Sequence, residues 1–206
     1  MILRRKSEQN FGKRVELQLY AGLDISFFDR EVTAVARDLI GVSLCLNGIG
    51  GMIVETEAYA LDDPASHSFS RQSFRNSAMF GPPARAYVYR SYGMHWCLNF
   101  VCRRGCAVLV RALEPRVGID VMQARRQMIG RDLCAGPGRL TQALDVTLEH
   151  NGLDILSRPF ELARGEPCKI AVGTRIGISK AVDKTWRFGC QGSLYLSRKF
   201  IATSPP

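Results

Sequence analysis

The chain has only three histidines and two tryptophans, and no cysteine pair at C-x-x-C spacing. His67, His95 and His150 do not lie at zinc-type spacing from any cysteine pair, so neither a metal site nor a cofactor is predicted. The seven cysteines (45, 97, 102, 106, 134, 168 and 190) are odd in number, unlike a secreted disulfide scaffold, and read as reduced thiols used for packing. Long hydrophobic runs are missing as well. The longest uncharged stretch, residues 39–54, is broken by glycines, Ser43 and Asn47, and is too short and too polar to span a bilayer. Met1-Ile2-Leu3 runs straight into Arg4-Arg5-Lys6 without an export-type apolar segment, which predicts an intracellular protein. Internal repeats and low-complexity tracts are also missing.

Acidic residues are outnumbered: 19 Asp and Glu stand against 28 Lys and Arg, giving a net charge of +9. Arginine makes up most of the basic set, and its planar fork suits phosphate, so a polyanionic partner is indicated. With 206 residues, 46% of them hydrophobic, the chain can bury one sizeable core. The basic, aperiodic residues 1–20 and the Ser-Pro-Pro end at 201–206 read as tails, leaving one domain over 21–200.

Hydrophobic spacing from Asp29, taken as N-cap, through Val32, Val35, Ala36 and Leu39 predicts a helix that stops at Gly41. Asn47-Gly48 between the apolar runs 42–46 and 52–59 predicts a hairpin. A second hairpin is expected from residues 86–89 and 94–101, with Gly93 supplying a positive φ and Tyr92 near an exposed tip. A strand over 106–113, helices over 118–129 and 139–144, and short strands at 154–156, 170–172, 175–178, 186–188 and 193–196 complete the pattern. No repeating βαβ unit is present. The fold class is therefore α+β, with a mostly antiparallel sheet in a single domain.

In Ile53-Val54-Glu55-Thr56-Glu57-Ala58-Tyr59 the strand period puts Glu55, Glu57 and Tyr59 on one face. Pattern alone favours a solvent-facing edge strand, and the alternative is a general base whose pKa is tuned by its neighbour and by partial burial. His67 sits in a turn-rich stretch and by itself reads as a solvated loop residue. Tyr59, Tyr87, Tyr89 and Tyr92 cluster with it, although aromatics on strands commonly serve packing. Tyr92, flanked by Arg85 and Arg90 at a hairpin tip, instead suits stacking or wedging against nucleic acid. Gly48-Ile49-Gly50-Gly51 and Gly136-Pro137-Gly138 fit no phosphate-loop motif and are read as turns.

The 53–59 segment, together with Ala65-Ser66-His67-Ser68, Arg75-Asn76, Met79-Phe80, Tyr87-Val88-Tyr89, Tyr92-Gly93-Met94 and Cys97-Leu98-Asn99, resembles the alkyladenine (3-methyladenine) DNA glycosylases. The resemblance extends to Phe27-Phe28-Asp29, Val110-Arg111-Ala112-Leu113-Glu114-Pro115, Asp132-Leu133-Cys134, Gly136-Pro137, Arg175-Ile176-Gly177-Ile178 and Trp186-Arg187-Phe188, in order from about residue 25 to 197. It implies an open-barrel-like curved sheet with peripheral helices and a protruding hairpin. The implied activity is extrusion of alkylated or deaminated purines from double-stranded DNA, followed by hydrolysis of the N-glycosidic bond to initiate base excision repair.

By this resemblance Glu57 is the general base that activates water, and Arg111 keeps it ionised while holding the nucleotide backbone. Tyr59, Ala65, His67 and Tyr89 form the base pocket, and Asn99 excludes the 2-amino group of guanine. Tyr92 and Met94 enter the DNA stack, and Tyr87 supports the pocket from beneath. No lysine falls among these positions, which implies a monofunctional enzyme without lyase activity. The implied setting is a monomer working with the chromosome, in cytoplasm and nucleoid or in a nucleus, with no membrane partner. The Glu57 to His67 spacing is one residue shorter than in vertebrate members, which bears on substrate range. Asp183-Lys184-Thr185-Trp186 also departs from the family pattern, in which a proline precedes the tryptophan. Two other readings fit parts of the pattern: a non-catalytic nucleic-acid-binding domain, and a hydrolase of small nucleosides or glycosides.

Overall fold

The computed structural model describes residues 23–200, so the tails expected at 1–20 and 201–206 lie outside the described residues. Two short helices come first, α1 (Ile25–Phe28) and α2 (Val32–Asp38). Asp29 is not the N-cap of α2. Its N–H closes α1 onto the Ile25 carbonyl, and Glu31 caps α2 by accepting from the Ala34 N–H. A single-turn helix such as α1 is too short to leave a periodic signal, and the sequence pattern merges it with the approach to α2.

Eight antiparallel strands follow, with 3₁₀ turns and two further helices between them. They are β1 (Ser43–Leu46), β2 (Ile49–Tyr59), β3 (Ala86–Ser91), β4 (His95–Val101), β5 (Ala107–Val117), β6 (Phe160–Ala163), β7 (Ile170–Gly173) and β8 (Arg187–Cys190). The sheet order is β3-β4-β5-β2-β1-β6, with β8 joined to β2 and β7 to β8. The β1–β2 turn is Asn47-Gly48, with φ of 52° and 75°, the pair of positive values that matches the twist of a two-residue hairpin. Both predicted hairpins are present, in one α+β domain with a curled antiparallel sheet.

The long strand β2 changes partner half-way. Its first half pairs with β1 (Ser43 opposite Met52), its second half with β8 (Glu57 opposite Arg187), and β5 runs along its other edge. The edge-strand reading of Glu55 and Glu57 is therefore overturned: β2 is internal and both carboxylates are wholly buried. The opposite face of β2 carries Val54, Thr56 and Ala58 into the core, where the Thr56 hydroxyl donates to the Ala36 carbonyl of α2 at 2.7 Å. Phe28, Phe100 and Phe160 are among the largest fully buried side chains there, each contributing about 3 kcal/mol by removal from water.

Helix α3 (Ile119–Arg126) is shorter than expected, ending at Gln127 with a left-handed φ of 49°, so Met128 and Ile129 are exposed. Helix α4 (Pro137–Leu144) starts earlier, with Pro137 in the first turn where its missing N–H costs nothing. It buries Leu140, Ala143 and Leu144, and Thr141 donates to the Trp96 carbonyl of β4 at 2.9 Å.

Three expected strands do not form, at 154–156, 175–178 and 193–196. In the first two a carboxylate takes an amide that a ladder would need, and in the third the Ser193 and Tyr195 N–H groups turn onto the Cys190 carbonyl and the Ser193 hydroxyl. Leu156 N–H donates to the Asp154 side chain, Ile176 N–H to Glu57, and Ser197 N–H, just past the third segment, to Glu55. In exchange, β6 forms where no strand was expected, pairing with β1.

Candidate active site

Residues directly opposite on antiparallel strands share a face. The register therefore lines up Tyr87 of β3, Asn99 of β4, Leu109 of β5, Glu57 of β2 and Arg187 of β8 in one row across five strands. Glu55, Tyr59, Tyr89 and Arg111, each two residues from a member of the row on its own strand, fall on the same face. On either side of Glu55 the β2–β5 register shifts. Such irregularities bend and twist strands locally and re-aim side chains. Here the Arg111 guanidinium lies between the two carboxylates, with Nε donating to Glu55 Oε1 at 3.2 Å and Nη1 to Glu57 Oε2 at 3.1 Å.

Glu57 accepts two further hydrogen bonds. The Tyr59 hydroxyl donates to Oε2 at 2.9 Å and the Ile176 N–H to Oε1 at 2.7 Å. An ionised carboxylate has about four lone-pair sites, so Oε1 keeps one free. Burial, followed by the neighbouring Glu57 charge, pushes the Tyr59 phenol up, so Tyr59 remains a proton donor to that carboxylate. Arg111 is held above its ordinary value: burial alone would lower it, and the Glu57 and Glu55 charges outweigh that.

Glu55, equally buried, accepts one hydrogen bond more than Glu57. Oε1 accepts from Arg111, from Arg187 Nε at 2.7 Å and from the Ser197 hydroxyl at 2.7 Å, while Oε2 accepts from the Ser197 N–H. A third buried pair lies beyond Tyr59. Asp63 holds Arg175 through both oxygens, and Arg175 also donates to the Ala58 carbonyl at 2.9 Å. Its guanidinium lies over the rings of Tyr59 (4.7 Å) and Trp186 (5.3 Å). The buried charges among the described residues are thus three carboxylates (Glu55, Glu57, Asp63) and three guanidiniums (Arg111, Arg175, Arg187), and they balance. Balance is required, because an unpaired ion at such a site costs several kcal/mol.

Beside this cluster lies an aromatic group. Tyr87 and Tyr89 stack with centroids 5.4 Å apart, and His67 meets the Tyr89 ring edge-on at 4.4 Å. His67 Nδ1 is hydrogen-bonded to the Tyr87 hydroxyl at 2.9 Å, so Tyr87, itself buried, orients the imidazole. One side of His67 is open, and burial of the other lowers its pKa. Asn76 fixes the loop from within by donating to the His67 and Arg71 carbonyls. Asn99 is buried and donates to the Tyr87 carbonyl at 2.9 Å. Ala65 is half-buried, its N–H turned onto Asp63.

Tyr92 and Met94 stand apart at the tip of the β3–β4 hairpin, 81% and 72% exposed. The turn is closed by Met94 N–H to the Ser91 carbonyl, and Tyr92 and Gly93 take φ of 49° and 69°. A bulky residue with positive φ is uncommon, and strain of this kind concentrates at functional positions. The structure thus brings Glu57, Arg111 and Tyr59 into one hydrogen-bonded set, His67, Tyr87 and Tyr89 into an adjoining one, and leaves Tyr92 and Met94 in solvent.

The sequence reading gave no role to Asp63, Arg175, Asn76, Arg187 or Ser197. Asp63 and Arg175 are 112 positions apart, and nothing local connects them. The only signal was the resemblance itself, which contained Asn76, Arg175 and Arg187 without assigning them work. No group of three or more metal-ligating side chains converges among the described residues. All seven cysteines are free. Burial raises the thiols of Cys97, Cys102 and Cys134, the last to about 12, against a nucleophilic role.

Residues 26–194 match the family model described as Methylpurine-DNA glycosylase (MPG). The chain belongs to the methylpurine-DNA glycosylase family. It is similar to proteins named "Putative 3-methyladenine DNA glycosylase" from Nitrosospira multiformis and Rhizobium meliloti, each 56% identical, and from Agrobacterium fabrum, 54% identical. The alignments cover 84, 86 and 85% of this chain and 92, 97 and 92% of the three relatives. As a member of the methylpurine-DNA glycosylase family, the chain is a DNA glycosylase, a hydrolase of the bond between base and sugar that serves base excision repair. No helix among the described residues is long and apolar enough to cross a membrane.

Proposed function

We propose that this glycosylase extrudes alkylated or deaminated purines from double-stranded DNA and hydrolyses their N-glycosidic bond with water activated by Glu57. The observation that carries the reading is the Glu57 carboxylate: wholly buried, counter-charged by Arg111, aimed by Tyr59 and the Ile176 N–H, and left with one free lone pair on Oε1. Three donors fix the group, and the remaining acceptor site is where a water can be oriented and deprotonated as it attacks C1′. In the free protein Glu57 is closed to solvent, so water reaches it with the inserted nucleotide. As the bond to the base lengthens, positive charge grows on the sugar, and a fixed anion in a dry site stabilises it.

His67, Tyr59 and Tyr89, with Ala65, form the slot for the extruded base in this reading, and Tyr87 is its support. A cationic methylated purine gains about 0.5–2 kcal/mol against electron-rich rings over a neutral one. Asn99, held on the Tyr87 carbonyl, excludes the 2-amino group of normal guanine. Tyr92, with Met94, fills the gap left in the base stack. Arg111 contacts the nucleotide backbone from beside Glu57. None of the residues assigned to the pocket is a lysine that could form a Schiff base, and in this reading the product is an intact abasic strand. The protein acts as a monomer.

Single-turnover incubation with duplexes containing hypoxanthine, 1,N6-ethenoadenine or methylated purines tests this directly. The wild type releases free base without cleaving the strand, and Glu57→Gln binds the same duplex but excises about 10²- to 10⁴-fold more slowly. Full activity in Glu57→Gln would remove Glu57 from the mechanism, and release of no lesion by the wild type would remove the substrate assignment.

A further inference from the structure

The C-terminal end of the described chain crosses the buried charges. Residues 196–200 run past β7 and β8 and touch the side chains behind Glu57 through Ser197, Arg198 and Phe200. The Ser197 N–H and hydroxyl both donate to Glu55, and Arg111 Nη2 lies 3.5 Å from the same hydroxyl. Arg187 Nη2 donates to the Arg198 carbonyl. The Phe200 ring covers the Arg187 guanidinium at 3.9 Å. A Cβ added to Gly189 would come within 2.4 Å of the Phe200 ring, and one added to Gly173 within 3.0 Å, so these two glycines leave the space in which the ring lies.

We infer that this strap is a positioning device for the hydrolytic step, acting through Ser197 on Glu55 and Arg111. The inference rests on the proposed role of Glu57. Arg111 divides its donors between Glu55 and Glu57, so the orientation of Glu55 decides how Nη1 faces Glu57. Glu55 in turn takes two of its hydrogen bonds from Ser197, the only strap residue that touches both Glu55 and Arg111 among the described contacts. Removing the hydroxyl takes from Glu55 Oε1 one of its three donors and from Arg111 Nη2 the oxygen it faces, so the buried guanidinium must turn to find another acceptor. That rotation takes Nη1 off Glu57, and small misplacements near a reacting group are expensive in rate. The strap begins after residue 194, where the match to the family model ends. Ser197 is thus a positioning residue for this chain outside the matched region.

The test compares wild type, Ser197→Ala, Ser197→Thr and Phe200→Ala in single-turnover excision, with lesion-duplex affinity and thermal unfolding measured alongside. Ser197→Ala slows excision about five- to twenty-fold while affinity stays within about twofold, since no strap residue is assigned to DNA. Ser197→Thr, which keeps the hydroxyl, restores the rate. Phe200→Ala frees the strap and gives the same rate loss with Ser197 intact. A purely structural strap would lower the melting temperature of Ser197→Ala and Phe200→Ala yet leave the folded protein excising at the wild-type rate, and that result overturns the inference. A wild type that releases no base, in contrast, defeats the glycosylase reading itself.

Discussion

Single residues in this protein work as members of a balanced set of buried ions. Glu57 has the exposed, edge-like neighbourhood of an ordinary strand carboxylate in sequence, yet it is wholly buried because Arg111 sits beside it. Paired burial of this kind adds little net stability and makes loss of one partner costly, so its use here is geometric. His67 gives a pH-dependent readout. Burial lowers its folded pKa below the ordinary 6.5, so the unfolded chain binds the proton more readily. The stability contributed by neutral His67 is therefore fully present above the unfolded value and is lost as pH falls through the folded one. Urea unfolding midpoints between pH 7.5 and 5 should fall more steeply in wild type than in His67→Gln. Equal slopes would show that His67 is solvated in both states.

At the scale of elements, the β3–β4 hairpin is the clearest case of a conformation kept against local preference. Tyr92 occupies a left-handed φ that glycine tolerates without penalty, at a cost to a bulky residue of about 1–2 kcal/mol. Tyr92→Gly should therefore leave the melting temperature unchanged or raise it by a few degrees, while excision from duplex DNA weakens. A loss of thermal stability in Tyr92→Gly would mean that the ring packs against the protein. Both hairpins and α2 were legible because turn chemistry and apolar spacing are local. The segments at 154–156, 175–178 and 193–196 were misread because their strand-like composition says nothing about what claims their amides: the Asp154 side chain two residues away, Glu57 on a distant strand, and the Cys190 carbonyl and Ser193 hydroxyl of a turn.

For the whole molecule, the charge of +9 coexists with a balanced interior, so the excess lies on exposed side chains and on the residues beyond 23–200. Arg71, Arg75 and Arg90, near the His67 loop and the Tyr92 hairpin, are exposed and contribute to it. Affinity for duplex DNA should fall by a power law in salt, with a logarithmic slope of several units, reflecting counterions released from neutralised phosphates. Titration of binding between 50 and 200 mM salt, about a fourfold span, measures the slope. A slope near zero would contradict binding to the phosphate backbone.

The sequence by itself determined the class of fold, the two hairpins, the shared face of Glu55, Glu57 and Tyr59 and membership of the glycosylase family, because these depend on local spacing and on motifs that survive intact. It also placed Glu57, Arg111 and the tyrosines on one list. Only the tertiary structure decided that β2 is flanked on both sides, that Glu55 and Glu57 share Arg111, that Asp63, Arg175 and Arg187 complete the charge balance, and that Ser197 supplies hydrogen bonds to Glu55. Burying an ion demands a partner close in space, and the chain can supply it from any distance along its length.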